Sequence, residues 1–204
     1  MISTTKHTDS SDHHLMIRVK EGELDMLSPL FDRYHRRLYG FFYRLTSRPD
    51  ISADLVQDVF ERVLKYRHTY SRDGRFATWL FQISRNLYHD HCRKMKRQPE
   101  GFSMDRDSFS EQPGQNNASE TASVKDDQLL LTQALDQLSE DKRQALILSR
   151  IEGFRYSEIA DIMNCSEGAV KVRIFRSLKE LKDIITRLQE TGTRKTEKPQ
   201  NSSN

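Results

Sequence analysis

The stretch SEIADIMNCSEGAVKVRIFRSLKEL at residues 157–181 decides the fold of the second half of this chain. Ile159, Ile162, Val170, Ile174 and Leu178 recur at helical spacing and are expected to face inward, while small Ala160 lets two helices approach closely. Asn164 tolerates the left-handed conformation of a helix stop, so the spacing predicts a short helix from Tyr156 to Met163. Ser166 then caps a longer helix from Glu167 to about residue 188. Short helix, tight turn and longer basic helix make the helix-turn-helix pattern. Residues 167–179 hold four basic residues against one acidic, and Lys171, Phe175 and Arg176 fall near one exposed face. Such a face, set into a major groove, reads guanine edges and holds phosphates. The bland reading is a helical hairpin with a solvated basic side.

Upstream, Leu129, Leu130, Leu135 and Leu138 belong to one helix, and Ser139 starts another carrying Ala145, Leu146, Leu148 and Ile151, which Gly153 breaks. This second module spans 128–188, with 189–204 a disordered tail. Residues 98–127 collapse into Ser, Gly, Pro, Asn and Gln, with seven acidic residues against two basic, and read as a disordered acidic linker. A first module runs over 15–97, behind a loose polar tail at 1–14. Its first helix carries Leu24, Leu27, Phe31, Tyr34, Leu38, Phe41, Phe42 and Leu45; Pro29 either starts it or kinks an earlier turn. Ser52 can cap the next, whose apolar face is Leu55, Val56, Val59, Phe60, Val63 and Leu64. After a loop at 69–75, a long helix buries Trp79, Leu80, Ile83 and Leu87. Strand signals are absent, so the expected fold is all-α: two small helical domains on a flexible linker.

Of the 204 residues, 33 are basic and 30 acidic, so a basic surface has to come from local clustering. The run RNLYHDHCRKMKR at 85–97 provides one, with five basic residues against one acidic, and Tyr66, Tyr70, Phe76 and Trp79 precede it. Cations that track a backbone beside aromatics on which bases stack suit single-stranded or opened DNA; the competing reading is a core Trp79 and a solvated helix end. Asp54, Asp58 and Glu61 form a carboxylate stripe opposite the apolar face of their helix, suited to a basic partner surface. His89, His91 and Cys92 do not match zinc spacing, so no metal and no cofactor are expected. The chain has no P-loop, no dinucleotide-binding glycines and no nucleophile elbow, and nothing supports an enzyme. No apolar run approaches the roughly 18–20 residues of a membrane span. The polar first fifteen residues and two distant cysteines point to an intracellular protein without a disulfide scaffold.

Taken together, DLVQDVFERVLKY at 54–66, FATWLFQISRNLYHDHCRK at 76–94 and the stretch 135–181 resemble bacterial RNA polymerase sigma factors of the extracytoplasmic-function type. The resemblance covers both modules in the family's order. It implies that the first module is sigma region two, where Asp54, Gln57, Asp58 and Glu61 bind the clamp helices of the polymerase's largest subunit. The loop at 70–75 and the helix after it hold the opened −10 element, through Tyr70, Arg75, Asn86, His89, Arg93 and Lys94. The second module is implied to be region four, reading the −35 duplex: Lys171, Val172, Phe175 and Arg176 toward bases, Arg173 and Lys179 toward phosphate. The linker would thread toward the RNA exit path. Core polymerase with its clamp helices and flap, promoter DNA and an anti-sigma factor are the implied partners, in the cytoplasm at the nucleoid. Arg155, Asn164, Ser166 and Val172 depart from residues common in the family; Val172 suits a thymine methyl. The alternative is a dimeric helix-turn-helix regulator that binds operator DNA without polymerase.

Overall fold

A computed structural model describes residues 4–71, 74–97 and 122–196. These residues form helices α1 (Thr4–Glu21), α2 (Leu27–Thr46), α3 (Pro49–Tyr66) and α4 (Phe76–Arg97), then α5 (Ala122–Asp136), α6 (Glu140–Leu146), α7 (Tyr156–Met163) and α8 (Glu167–Thr196). Short 3₁₀ turns precede α2 and follow α3, and α6 widens into a π turn at Ile147–Ile151. No strand occurs among the described residues.

In the first module, α3 packs on both α2 and α4, α2 meets α4 through the Tyr34–Phe76 and Phe41–Phe81 ring pairs, and α1 lies across α2 and α4. The apolar positions of α2 spaced by threes and fours, Leu30, Tyr34, Leu38, Phe41, Phe42 and Leu45, all reach the core. Leu24 and Phe31, expected there too, are exposed, Phe31 stacking on His35 instead. Pro29 sits in the first turn of α2, where no intrahelical N–H is lost. Ser47 at φ 54° ends α2. Ser52 is no cap: α3 starts at Pro49, and the buried Ser52 hydroxyl donates to the Arg48 carbonyl at 2.6 Å. Trp79 is only partly buried.

The stretch expected to be a loose N-terminal tail contains most of α1. Its polar composition suggests no helix; tertiary contacts capture it. Asp12 is 1% exposed, ion-paired with Arg33 and hydrogen-bonded by the Tyr34 hydroxyl at 2.7 Å. Met16 and Val19 are fully buried behind it. Likewise α5 begins inside the expected linker and α8 runs into the expected C-terminal tail. The remainder of both segments, with residues 1–3 of the first, lies outside the described residues.

The second module packs α5 and α6 on α8, with α7 against α8. Asn164 ends α7 at φ 51° as the sequence suggests. Ser166 caps α8, its hydroxyl accepting from the Ala169 N–H at 3.2 Å. Ser139 occupies the cap position of α6 without making a side-chain bond. The N–H of Arg155 donates to the Glu158 carboxylate at 2.8 Å, so α7 starts at Tyr156 without a Ser or Thr cap. Leu178 stays partly exposed; Ser177 takes the inward position, donating back to the Arg173 carbonyl at 2.7 Å.

The two modules lie face to face, where the sequence suggested separate cores. Phe81 of α4 meets Phe154, ring centroids 5.0 Å apart. The Arg37 guanidinium lies over both rings, 5.1 and 5.2 Å from their centroids. Arg37 also donates to the Glu152 carboxylate and carbonyl, each at 2.6 Å. Burial holds the Glu152 carboxyl above the ordinary carboxylate range, and Arg37 opposes that shift.

Candidate nucleic-acid and polymerase interfaces

Three surfaces carry the residues singled out by the sequence. The first is the N-terminal half of α8. Inward-facing Val170, Ile174 and Ser177 fix its rotation against α7 and α6. That rotation leaves Lys171, Val172, Phe175, Arg176 and Lys179 exposed on the other side. Phe175 is 72% exposed and Val172 49%, apolar groups that no core claims. Lys171 pairs with Glu167 one turn earlier at 2.9 Å, which raises the pKa of its ammonium. Arg173 differs from its neighbours. Half-buried, it lies 3.8 Å from the sulfurs of Met163 and Cys165 and 3.6 Å from Asp141, so it ties the helix-turn-helix to α6.

The second surface is α4 with the loop before it. Asn86, Arg93 and Lys94 are exposed along α4. Arg93 pairs with Asp90, which also receives Arg62 at 3.0 Å. Arg75 and His89 face the second module: Arg75 pairs with Glu158 of α7, and His89 Nδ1 lies 2.9 Å from Glu140 of α6. Burial, with Arg85 beside it, holds the His89 imidazole below its usual range, so at neutral pH that contact is a neutral N–H donating to a carboxylate. Tyr70 is 1% exposed; its ring packs against Phe76 and Trp79 and does not face solvent. Arg85 was not singled out from the basic run. It donates to Gln144 at 3.0 Å and lies 3.5 Å from Asp141. With His89, Cys92, Arg93 and Lys96 it lines a basic cleft against Glu140.

The third surface is the outer face of α3. Asp54, Gln57, Asp58 and Glu61 are all exposed there, and the Gln57 amide donates to Glu61 at 3.4 Å. Asp58 and Glu61 also border a groove against α4 lined by Arg62, Lys65, His91 and Lys94. The periodicity of α3 made this stripe legible, because buried Leu55, Val59 and Val63 leave it nowhere else to point. Among the described residues, no group of three or more His, Cys, Asp or Glu side chains could hold a metal, and no helix is long and apolar enough to cross a membrane.

Residues 30–98 match the family model for sigma-70 region 2, and residues 128–181 match that for sigma-70 region 4. The chain is 32% identical over 163 residues to the ECF RNA polymerase sigma factor SigX of Bacillus subtilis, covering 79% of this chain and 84% of that protein. It is 29% identical over 174 residues to the RNA polymerase sigma factor CarQ of Myxococcus xanthus, covering 85% and 97%. Among solved structures it resembles the sigma factor RpoE in complex with the anti-sigma factor NepR from Bartonella quintana. That match has a TM-score of 0.63 and 25% identity over 78% of this chain and 96% of the other.

Proposed function

The chain belongs to the extracytoplasmic-function family of RNA polymerase sigma factors, and from that premise we propose a division of labour among its three surfaces. As a sigma factor it joins core RNA polymerase, recognises promoter DNA and directs transcription initiation. The observation that carries the residue assignment is the outer face of α8, where Lys171, Val172, Phe175, Arg176 and Lys179 stand free of the core on the second helix of a helix-turn-helix. In a major groove, Arg176 and Lys171 hydrogen-bond guanine edges, Val172 and Phe175 make apolar contact with thymine methyls, and Lys179 holds phosphate. Arg173 supports this face from behind.

Asn86, Arg93 and Lys94 hold the opened −10 strand along α4, joined by Arg75 and His89 once these are released from α7 and α6. Flipping a base out of the stack costs a few kcal/mol, offset by the pocket and by the polymerase interface. The carboxylates of α3 dock on the basic clamp helices. The chain contributes recognition, and the bond-forming chemistry belongs to the polymerase. We place it in the cytoplasm with the polymerase, and an anti-sigma factor is a further partner, as NepR is for RpoE.

The test is addition of the purified chain to sigma-free core polymerase, with permanganate footprinting of a promoter library. Core-dependent opening, with protection of an upstream duplex element, is expected. Operator binding by the chain alone, without opening, would replace this reading with the dimeric regulator.

A further inference from the structure

Six residues, 70–75, connect the 3₁₀ turn after α3 to α4, and the anchors of this loop come from an unexpected place. The Tyr70 hydroxyl donates to the Gly74 carbonyl at 2.9 Å, joining the two described sides of the loop. A phenol has one proton, so the His13 Nδ1 contact at 3.0 Å on the same oxygen requires His13 to be the donor. The result is a relay from the His13 N–H to the Tyr70 hydroxyl and on to the Gly74 carbonyl. At the other end of the residue, the Lys20 ammonium donates to the Tyr70 carbonyl at 2.7 Å. Both His13 and Lys20 lie on α1, which the Asp12–Arg33–Tyr34 cluster fastens to α2.

We infer that Tyr70 is a positioning residue for −10 recognition, and that His13 and Lys20 on α1 fix, through it, where Gly74 and Arg75 enter α4. The inference rests on the sigma reading above and reassigns Tyr70 from a base contact to the hinge pin of the loop that makes such contacts. A tyrosine 1% exposed, with its hydroxyl and carbonyl both engaged, has no edge left to offer a base. What it controls is where Gly74 and Arg75 leave the turn, and therefore where the start of α4 meets an unstacked nucleotide. The N-terminal helix, which carries no recognition residue itself, thereby becomes part of promoter specificity.

The experiment uses full-length chain with core polymerase on a promoter selected from a library by the wild-type holoenzyme. Open-complex formation is compared on that promoter and on a panel with single-base −10 substitutions. Tyr70→Phe keeps the ring and removes the relay; Lys20→Met removes the carbonyl anchor and Lys20→Arg restores a donor. The preferred-to-substituted ratio is expected to fall about fivefold in Tyr70→Phe and Lys20→Met and to recover in Lys20→Arg, with core affinity unchanged. A wild-type ratio in both Tyr70→Phe and Lys20→Met overturns the inference. So does a uniform loss on every template accompanied by a lowered unfolding midpoint, which is the signature of a purely structural residue. Failure of wild-type holoenzyme to open any promoter would instead remove the sigma reading beneath it.

Discussion

Arg176 and Arg173 stand three residues apart on α8 yet meet different surroundings, one exposed and one held half-buried by Asp141 and two sulfurs. Arg176→Ala is expected to cost roughly 1–3 kcal/mol of −35 discrimination and to leave the unfolding midpoint unchanged. Arg173→Ala should lower that midpoint as well, read by thermal denaturation. Sequence spacing set Arg176, and not Arg173, near the exposed face, but it could not say what holds Arg173, because those partners come from α6, the end of α7 and the turn after it. His89 adds a pH dependence. Its folded-state pKa lies below the ordinary 6.5, so the folded chain binds fewer protons than the unfolded one just below that value. Stability therefore falls as pH drops from 6.5 toward the depressed value. Arg85 and Arg93 from α4 push in that direction, and Glu140 and Asp141 from α6 oppose it. In denaturant titrations, His89→Gln should show a smaller stability difference between pH 7.5 and pH 5.5 than wild type.

Helices differ in how far their own residues dictate them. The apolar stripes of α2, α3 and α4, and the stop and cap between α7 and α8, follow from local spacing, and the structure has them where the sequence suggested except for exposed Leu24 and Phe31 and the partly buried Trp79 and Ile83. The first helix has no such stripe. It depends on Asp12 finding Arg33 and Tyr34 about twenty residues away, a pairing that no local pattern announces. Asp12→Ala should cost about 1–3 kcal/mol in chemical denaturation, because it removes the buried acceptor of the Tyr34 hydroxyl and the ion-pair partner of Arg33. On α3, Asp58→Ala should weaken core binding by up to about 1 kcal/mol, the scale of one exposed ion pair. Duplex binding by α8 should be unaffected, as equilibrium titration with core and with −35 DNA would show.

For the molecule as a whole, a chain with two apolar stretches separated by a polar one reads as two bodies. The seam between them rests on Phe81, Phe154 and the Arg37–Glu152 pair, residues whose own modules give them sufficient reason to be apolar or charged. Their meeting is a property of surface shape, which periodicity does not encode. Phe154→Ala removes the ring on one side of the guanidinium, a loss of about 3 kcal/mol or more. It should lengthen the distance between spin labels placed on α3 and α8, and added salt, which screens the flanking ion pairs, should lengthen it further.

The ion pairs along that seam also bear on where the chain spends its time in a cell. Nonspecific attraction to a genome grows with each phosphate a protein neutralises, through the counterions it releases. Arg75, committed to Glu158, and Arg85, held by Gln144 and Asp141, are withdrawn from that tally while the modules stay together. The free chain is thus a weaker competitor for the millions of irrelevant sites than its basic helices alone would make it. While the seam stays closed, more of the chain is left available to polymerase; on the proposed reading these cations turn to DNA only when the seam parts.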